Sequence, residues 1–471
     1  MTTSLRKEHA FAGRLIMVGF GCIGQGTLPL LLRHIEMRAA QVLVVDPDET
    51  ALRMARDQGA EVLAARLAPS NLRELLASHL HPGDFLLNLS VDVSSTALIQ
   101  LCRDRGALYL DTCIEPWAGG YVDTALPPGQ RTNYALREAA LALRGRGGPT
   151  ALLTHGANPG LVSHFVKQAL LNIARDAGVA TPVPVERDDW ARLAQRLDVK
   201  AIHISERDTQ VAAAHKTPGE FVNTWSVKAF VDEGCQPAEL GWGSHERHFP
   251  PDAARHEAGS RAAIYLHRPG ASTRVRSWTP LAGPIHGFLI THAESISIAD
   301  HLTIGDPARP VYRPTVHYAY HPCDDAVLSL HELAALNWRL QPRHRVMKDE
   351  IVSGIDELGV LLMGHARGAY WYGSQLSIEQ ARALCPHNSA TSLQVTAAVL
   401  AGVVWAMQNP ARDVVEPDDL PHDEILRLAG PYLGAVVGVY SGWTPLQGRS
   451  WLFEEDIDPR DPWQFRNVRV G

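Results

Sequence analysis

Leu15-Ile16-Met17-Val18-Gly19-Phe20-Gly21-Cys22-Ile23-Gly24 carries a short apolar strand straight into a GxGxxG turn, and a segment with helical spacing follows. A second apolar strand, 42–45, ends at Asp46, 22 residues after Gly24. Strand, glycine turn, helix and following acid are the parts of a dinucleotide-binding unit. Gly19 permits the tight turn, Gly21 lets the backbone approach a pyrophosphate, and Gly24 lets the helix pack close to the sheet. Cys22 and Ile23 complete the loop, where a helix N-terminus offers N–H donors and the positive end of a dipole. Asp46 accepts hydrogen bonds from ribose hydroxyls and repels a 2′-phosphate, so NAD is expected over NADP. Pro29 lies inside the expected helix and should kink it beyond the phosphate-binding turn.

Outward from this loop the pattern repeats. Apolar strands are expected at 84–89, 107–110 and 151–154, with helical spacing at 30–37, 51–58 and 71–79. Continuous apolar strands separated by helices indicate a parallel sheet covered on both faces, hence an α/β doubly wound Rossmann-type domain over 1–160. Ligands of such sheets bind beyond the carboxyl ends of the strands. Three segments end there: Asn88-Leu89-Ser90-Val91-Asp92, Asp111-Thr112-Cys113-Ile114-Glu115 and Gly156-Ala157-Asn158-Pro159-Gly160. Ser90, Asp92, Asp111 and Thr112 are expected on the cofactor. Asn158 either holds the nicotinamide carboxamide or closes its own turn, and Glu115 either enters the crevice or is a solvated loop carboxylate.

After an amphipathic helix at 162–177 comes a breaker, Thr181-Pro182-Val183-Pro184, and then alternating strands such as 200–205 and 288–298 between Gly/Pro turns. An α+β substrate and dimerisation domain, 161–387, is therefore expected as an insertion. A helical run at 391–407 is expected to pack back on the first domain, which takes 388–471 as its return. Alternation puts Ile202, Ile204 and Glu206 on one face, so Glu206 sits at a frayed strand end or is buried for a reason. The same alternation would set His292 beside Glu294, whose charge would keep the imidazole more easily protonated. Trp225 reads as a core or interface residue, while Glu233 and Glu239 flank the turn 234–237. His317, His321 and Cys323 have a spacing that suits a metal but lack a fourth ligand, so none is expected.

The chain has 471 residues, 45% hydrophobic and 20% charged, which excludes disorder and suits two or three domains. Acids outnumber bases 51 to 44, without a basic block of five, so nucleic acid is not an expected partner. The six scattered cysteines form no CxxC pair and suggest a reducing cytoplasm. The N-terminal stretch 1–21 has no signal-peptide core, and the longest apolar stretch, 395–407, is too short for a bilayer.

Ten segments together carry a resemblance: the loop 19–24, 88–92, 156–160, 203–209 (HISERDT), 223–226 (NTWS), 237–243 (PAELGWG), 291–300 (THAESISIAD), 317–323 (HYAYHPC), 354–359 (GIDELG) and 461–467 (DPWQFRN). They resemble those of bacterial homospermidine synthases, within the saccharopine-dehydrogenase-like proteins, and span essentially the full chain. The resemblance implies synthesis of sym-homospermidine from two putrescines with release of ammonia, spermidine being able to replace one putrescine, in a homodimer. It implies NAD as a recycled prosthetic group: hydride leaves an amine-bearing carbon, the imine loses ammonia, a second amine condenses to a Schiff base, and the hydride returns. Glu115, Glu206, Trp225, Glu233, His292 and Glu294 would then line the substrate pocket, joined by Glu239, with Asn158 near the nicotinamide. Ala293 departs from the family, in which Asn is expected. An ammonium must lose a proton before its carbon gives up hydride, and His292 or a carboxyl raised by its neighbours would take it. Trp225 would face the cationic intermediate. Two other functions fit less: a reductive-amination dehydrogenase drawing on Arg207, Arg274 and Arg276 for substrate carboxylates, and a non-catalytic NAD-binding regulator.

Overall fold

The computed structural model describes residues 7–180 and 182–471; residues 1–6 of the N-terminal stretch and Thr181 of the breaker lie outside the described residues. Strands and helices alternate through the first domain: β1 (Leu15–Val18), α1 (Cys22–His34), β2 (Val42–Asp46), α2 (Glu49–Asp57), β3 (Glu61–Ala64), α3 (Leu72–Ala77), β4 (Phe85–Asn88), α4 (Ser95–Arg105), β5 (Leu108–Asp111), α5 (Asn133–Leu141) and β6 (Ala151–Leu152). The strands form a wholly parallel sheet in the order β6-β5-β4-β1-β2-β3. A short distant strand, Val414–Val415, extends it beside β6. β1, β4 and β5 are buried at every residue, which is why they read as unbroken apolar runs. Strand order reverses between β1 and β4, and the ligand crevice opens outside their carboxyl ends. α1 starts at the glycine turn and continues through Pro29. It ends earlier than its spacing predicts because Ile35–Glu36 pairs with His9–Ala10.

The second domain follows α6 (Leu161–Asp176) and contains β7 (Ala201–Asp208), α7 (Val227–Cys235), β8 (Pro237–Gly241), β9 (Ala253–Arg255), β10 (Ala263–Pro269), β11 (Arg274–Thr279), β12 (Gly283–Phe288), α8 (Glu294–His301), β13 (Thr315–His321), β14 (Ile355–Met363) and β15 (Ala369–Ser377). After α9 (Ala390–Gln408) the chain adds β16 (Ala435–Ser441). These strands make a ten-stranded sheet, β9-β10-β8-β13-β7-β14-β15-β16, with the β11–β12 hairpin joined to β13. Only β7 and β13 run parallel. The face bearing Ile202, Ile204, Tyr318 and Leu358 shares one continuous apolar core with α6, α9 and the first sheet.

Three expectations need correction. The strand expected at 288–298 ends at Phe288, and Glu294–His301 is helical. Every residue of α8 is buried, so its Ser-Ile-Ser-Ile alternation carries no one-sided pattern to betray the helix. The return to the first domain is shorter than 388–471: α9 and Val414–Val415 belong there, but β16 pairs with β15, and Phe465 and Val468 pack with Leu240 and Val275 in the second domain. α9 extends beyond the apolar stretch 395–407 and is long and apolar enough to cross a bilayer, yet 94% of its most apolar 18-residue window is buried inside the fold.

Candidate active site

A cavity of about 850 Å³ runs from the glycine loop to the second sheet. Gly19 has φ +88°, and a Cβ there would lie 2.7 Å from the Ser90 nitrogen, so only glycine lets the β1–α1 turn meet the loop after β4. Gly24 does not line the cavity; a Cβ on it would sit 2.9 Å from the Gly19 oxygen, so its bareness serves helix–sheet packing. At Gly21 a Cβ would meet open space. Gly21 caps α1 without a side-chain acceptor, and Cys22 and Ile23 line the cavity behind it. Asp46 accepts the Phe20 N–H at 2.7 Å and the Asp48 N–H at 2.8 Å, which holds its carboxylate at the cavity edge. Open glycine backbone, a helix N-terminus and a placed acid together fit a dinucleotide.

Ser90, Asp92 and Thr112 line this cavity, but Asp111 does not. Asp111 is fully buried, accepts the Thr154 N–H at 2.6 Å and the Tyr109 O–H at 2.7 Å, and pins the ends of β5 and β6. Burial pushes its carboxyl up to about 6.

At the other end, elements of both domains converge. The turn 156–160 closes so tightly that a Cβ at Gly160 would overlap the Gly156 oxygen, and it projects Asn158 into the cavity. Asn158 Nδ2 donates to Glu206 Oε2 at 3.2 Å, and Tyr318 O–H donates to the same oxygen at 2.5 Å. Glu206 is not at a frayed end; β7 continues to Asp208, and the side chain is 2% exposed between β13 and β14. Burial pushes its carboxyl up to about 7, with Asp208 adding to the rise while Tyr318 and His292 oppose it. Behind it, Asp356 is held well above the usual carboxylate range by burial and by the charges of Glu206 and Asp208.

His292 and Glu294 do meet, through a loop residue and the first residue of α8 and not through strand alternation. Imidazole Nδ1 lies 3.3 Å from Glu294 and Nε2 lies 3.0 Å from Glu233. Burial alone would lower this histidine, but the two carboxylates outweigh it and hold it well above its ordinary value. Glu294 stands behind His292 and does not line the cavity; Glu233 and Glu115 do. Glu115 is 5% exposed, so it is no solvated loop carboxylate; its N–H donates to Ser95 Oγ, and it accepts the Asp92 N–H at 3.2 Å. Burial, reinforced by Glu233, Asp232 and Asp92, pushes it well above the usual range. Trp225 lines the cavity half-buried, its Nε1 donating to the Tyr320 hydroxyl at 3.3 Å.

Glu239 lies elsewhere. It accepts the N–H groups of Asn133 and Tyr134, capping α5, and is absent from the cavity wall. Among the described residues no group of three or more His, Cys, Asp or Glu side chains is disposed to hold a metal. His317 packs against His203 at a tilt of 33°, ring centroids 4.0 Å apart, on the sheet face opposite Tyr318 and Tyr320. Arg207, Arg274 and Arg276 lie off the cavity; they pair with Asp324, His331 and Glu455. Sequence reasoning missed Tyr318, Tyr320, Asp356 and Lys228. The alternation of Thr315–His321, which sets Tyr318 and Tyr320 on one face, was the available signal for two of them.

The chain matches two family models, the saccharopine dehydrogenase NADP binding domain over residues 15–152 and the saccharopine dehydrogenase C-terminal domain over residues 156–439. It is 56% identical over 468 residues to homospermidine synthase of Blastochloris viridis, covering 98% of each chain. It is 50% identical to homospermidine synthase of Mesorhizobium japonicum, covering 97% of this chain and 96% of that one. The crystal structure of homospermidine synthase from Legionella pneumophila in complex with NAD superposes with a TM-score of 0.92 at 49% identity, covering 98% of both chains. Saccharopine dehydrogenase of Saccharomyces cerevisiae, at 10% identity and a TM-score of 0.52, shares the fold. Matched along nearly its whole length in sequence and in fold, the chain belongs to the homospermidine synthase family.

Proposed function

We propose that this protein joins two putrescines, or putrescine and spermidine, into sym-homospermidine with release of ammonia or 1,3-diaminopropane, using NAD as a recycled prosthetic group. The observation that carries this reading is the pairing, in one cavity, of a dinucleotide cradle with Asp92, Glu115, Glu206 and Glu233 and with Trp225. Arg207, Arg274 and Arg276, the second-domain guanidinium groups open to a substrate carboxylate, are paired elsewhere, and the arginine in the cavity wall, Arg66, follows β3 on the nucleotide-binding domain. Bound NAD supplies a hydride acceptor that later returns the same hydride, so the cycle is redox-neutral.

The residues of the chain do the rest. Alkyl ammonium groups titrate near ~10, so a diamine arrives as a dication, and Glu115 and Glu233 offset its lost hydration. Burial weakens the ammonium's hold on its proton and strengthens the carboxylate's, which brings the amine and Glu206 close enough in affinity for transfer. His292, already charged between two carboxylates, is not the first proton acceptor; it holds Glu233 in place. Asn158 and Tyr318 fix the Glu206 oxygen that takes the proton.

With NAD far below putrescine, product should accumulate to many equivalents of NAD. Mass spectrometry of homospermidine together with absorbance of NADH checks this, and one NADH per product would overturn the cycle.

Trp225 covers the cationic Schiff base with a face that neither attacks the reacting carbon nor takes its proton. Such a contact contributes ~0.5–2 kcal/mol, or roughly two- to thirtyfold in rate. Trp225→Ala should lose that factor in kcat/KM and Trp225→Phe should lose less. Because Trp225 is half-buried beside Phe230, the Ala variant should lose less stability than the ~3–5 kcal/mol of a core tryptophan. Normal turnover in Trp225→Ala would remove the cation–π role.

A further inference from the structure

Lys228 stands at the mouth of the cavity, three residues after Trp225, and among the described residues it is the one lysine in the cavity wall. Its Nζ lies 2.9 Å from Asp92, on the first domain's loop after β4, and 2.6 Å from Asp232, one turn along α7 in the second domain. The lysine therefore bridges the crevice between the domains. Its side chain is 44% exposed while the two carboxylates are 18% and 16% exposed, so the cation has an open path to solvent and its partners do not. Asp92, held at φ +67°, also donates its N–H to Glu115 inside the cavity. The bridge is thus one hydrogen bond from the acid wall.

The head of this side chain is a primary alkyl ammonium on a four-carbon stem, the same chemistry as one end of a linear diamine. Being tethered, it meets its carboxylates at an effective concentration in the millimolar range or above. Being half-exposed, the pair is weak enough to exchange. We propose that Lys228 is a built-in competitor for the substrate ammonium: each incoming amine displaces it from Asp92 and Asp232, and its return to them expels the polycationic product. The assignment rests on the amine-transfer reading above and adds what sets affinity and release. Without such a competitor, a wall of four acids would bind a triamine product more tightly than the diamine from which it is made.

The test is putrescine binding to the NADH-loaded full chain, a complex that cannot oxidise the amine, by calorimetry. Lys228→Met should bind putrescine roughly three- to tenfold more tightly than wild type. Homospermidine should inhibit the variant more strongly by a similar factor, with kcat lowered as release slows. Lys228→Arg, which keeps the cation, should stay within about twofold of wild type. Should the Met variant fold poorly, Lys228→Gln keeps a polar, uncharged side chain at this position, and it too should tighten binding. Unchanged or weaker putrescine binding in both neutral variants would make Lys228 a mere strut between the domains. Absence of diamine binding by the wild-type protein would instead overturn the amine-transfer reading, and this inference with it.

Discussion

Glu206→Gln loses roughly 10²–10⁴-fold in turnover of putrescine and still binds NAD as the wild type does. The carboxylate is the proton acceptor at the amine and lies at the far end of the cavity from the glycine loop, so its loss affects one ligand alone. In the wild type, kcat/KM reports the free enzyme, and Glu206 must be ionised to act; the profile therefore rises with pH through about 7. That limb should vanish in the Gln variant. Stability moves the other way. The folded state holds this proton more tightly than the unfolded chain does, so folding stability falls as pH rises from about 4.5 to about 7. The loss is roughly 3 kcal/mol by 1.36 kcal/mol per pKa unit, and Gln escapes it. At pH 8 without amine, Glu206→Gln should therefore unfold at higher denaturant than wild type. Undiminished turnover in this variant would move the base to another residue.

His292→Ala is the largest expected stability loss, roughly 3–5 kcal/mol in denaturant unfolding near neutral pH. The imidazolium sits between Glu233 and Glu294, 6% and 1% exposed, and its removal leaves two buried carboxylates facing one another without a cation. Replacing Glu233 and Glu294 by Gln in the His292→Ala background should restore most of the loss, since neutral amides carry no charge to desolvate. A His292→Ala protein as stable as wild type would mean that the two acids are already neutral without their partner.

What could be read in advance divides by distance along the chain. The glycine loop, its strand and Asp46 lie within 32 residues, and the physics of a pyrophosphate-binding turn is local, so fold and cradle followed directly. Glu206 was visible as an acid in line with Ile202 and Ile204, but its partners were not. Tyr318 comes from a strand 112 positions later, and Asp356 from one 150 positions later. No spacing rule joins such groups; only sheet register does. In HYAYHPC the histidines have a metal-like spacing, while of the tyrosines between them Tyr318 lines the cavity and Tyr320 stands behind it, accepting the Trp225 N–H. Glu239 failed for a related reason: next to a turn, an acid that caps a helix over 100 residues away looks like any exposed carboxylate. β16 went unread because its uncharged edge strand lies past a helix that did return to the first domain.

The return of α9 and Val414–Val415 makes the nucleotide-binding half a discontinuous piece of chain. A fragment cut after residue 160 would expose the apolar side of α1, including Leu28 and Leu31, and leave β6 as an open sheet edge. The two halves are therefore not modules that a gene could trade or a protease could release intact. In this fold cofactor specificity and amine specificity are inherited together, and a swap of either has to be made residue by residue within the crevice.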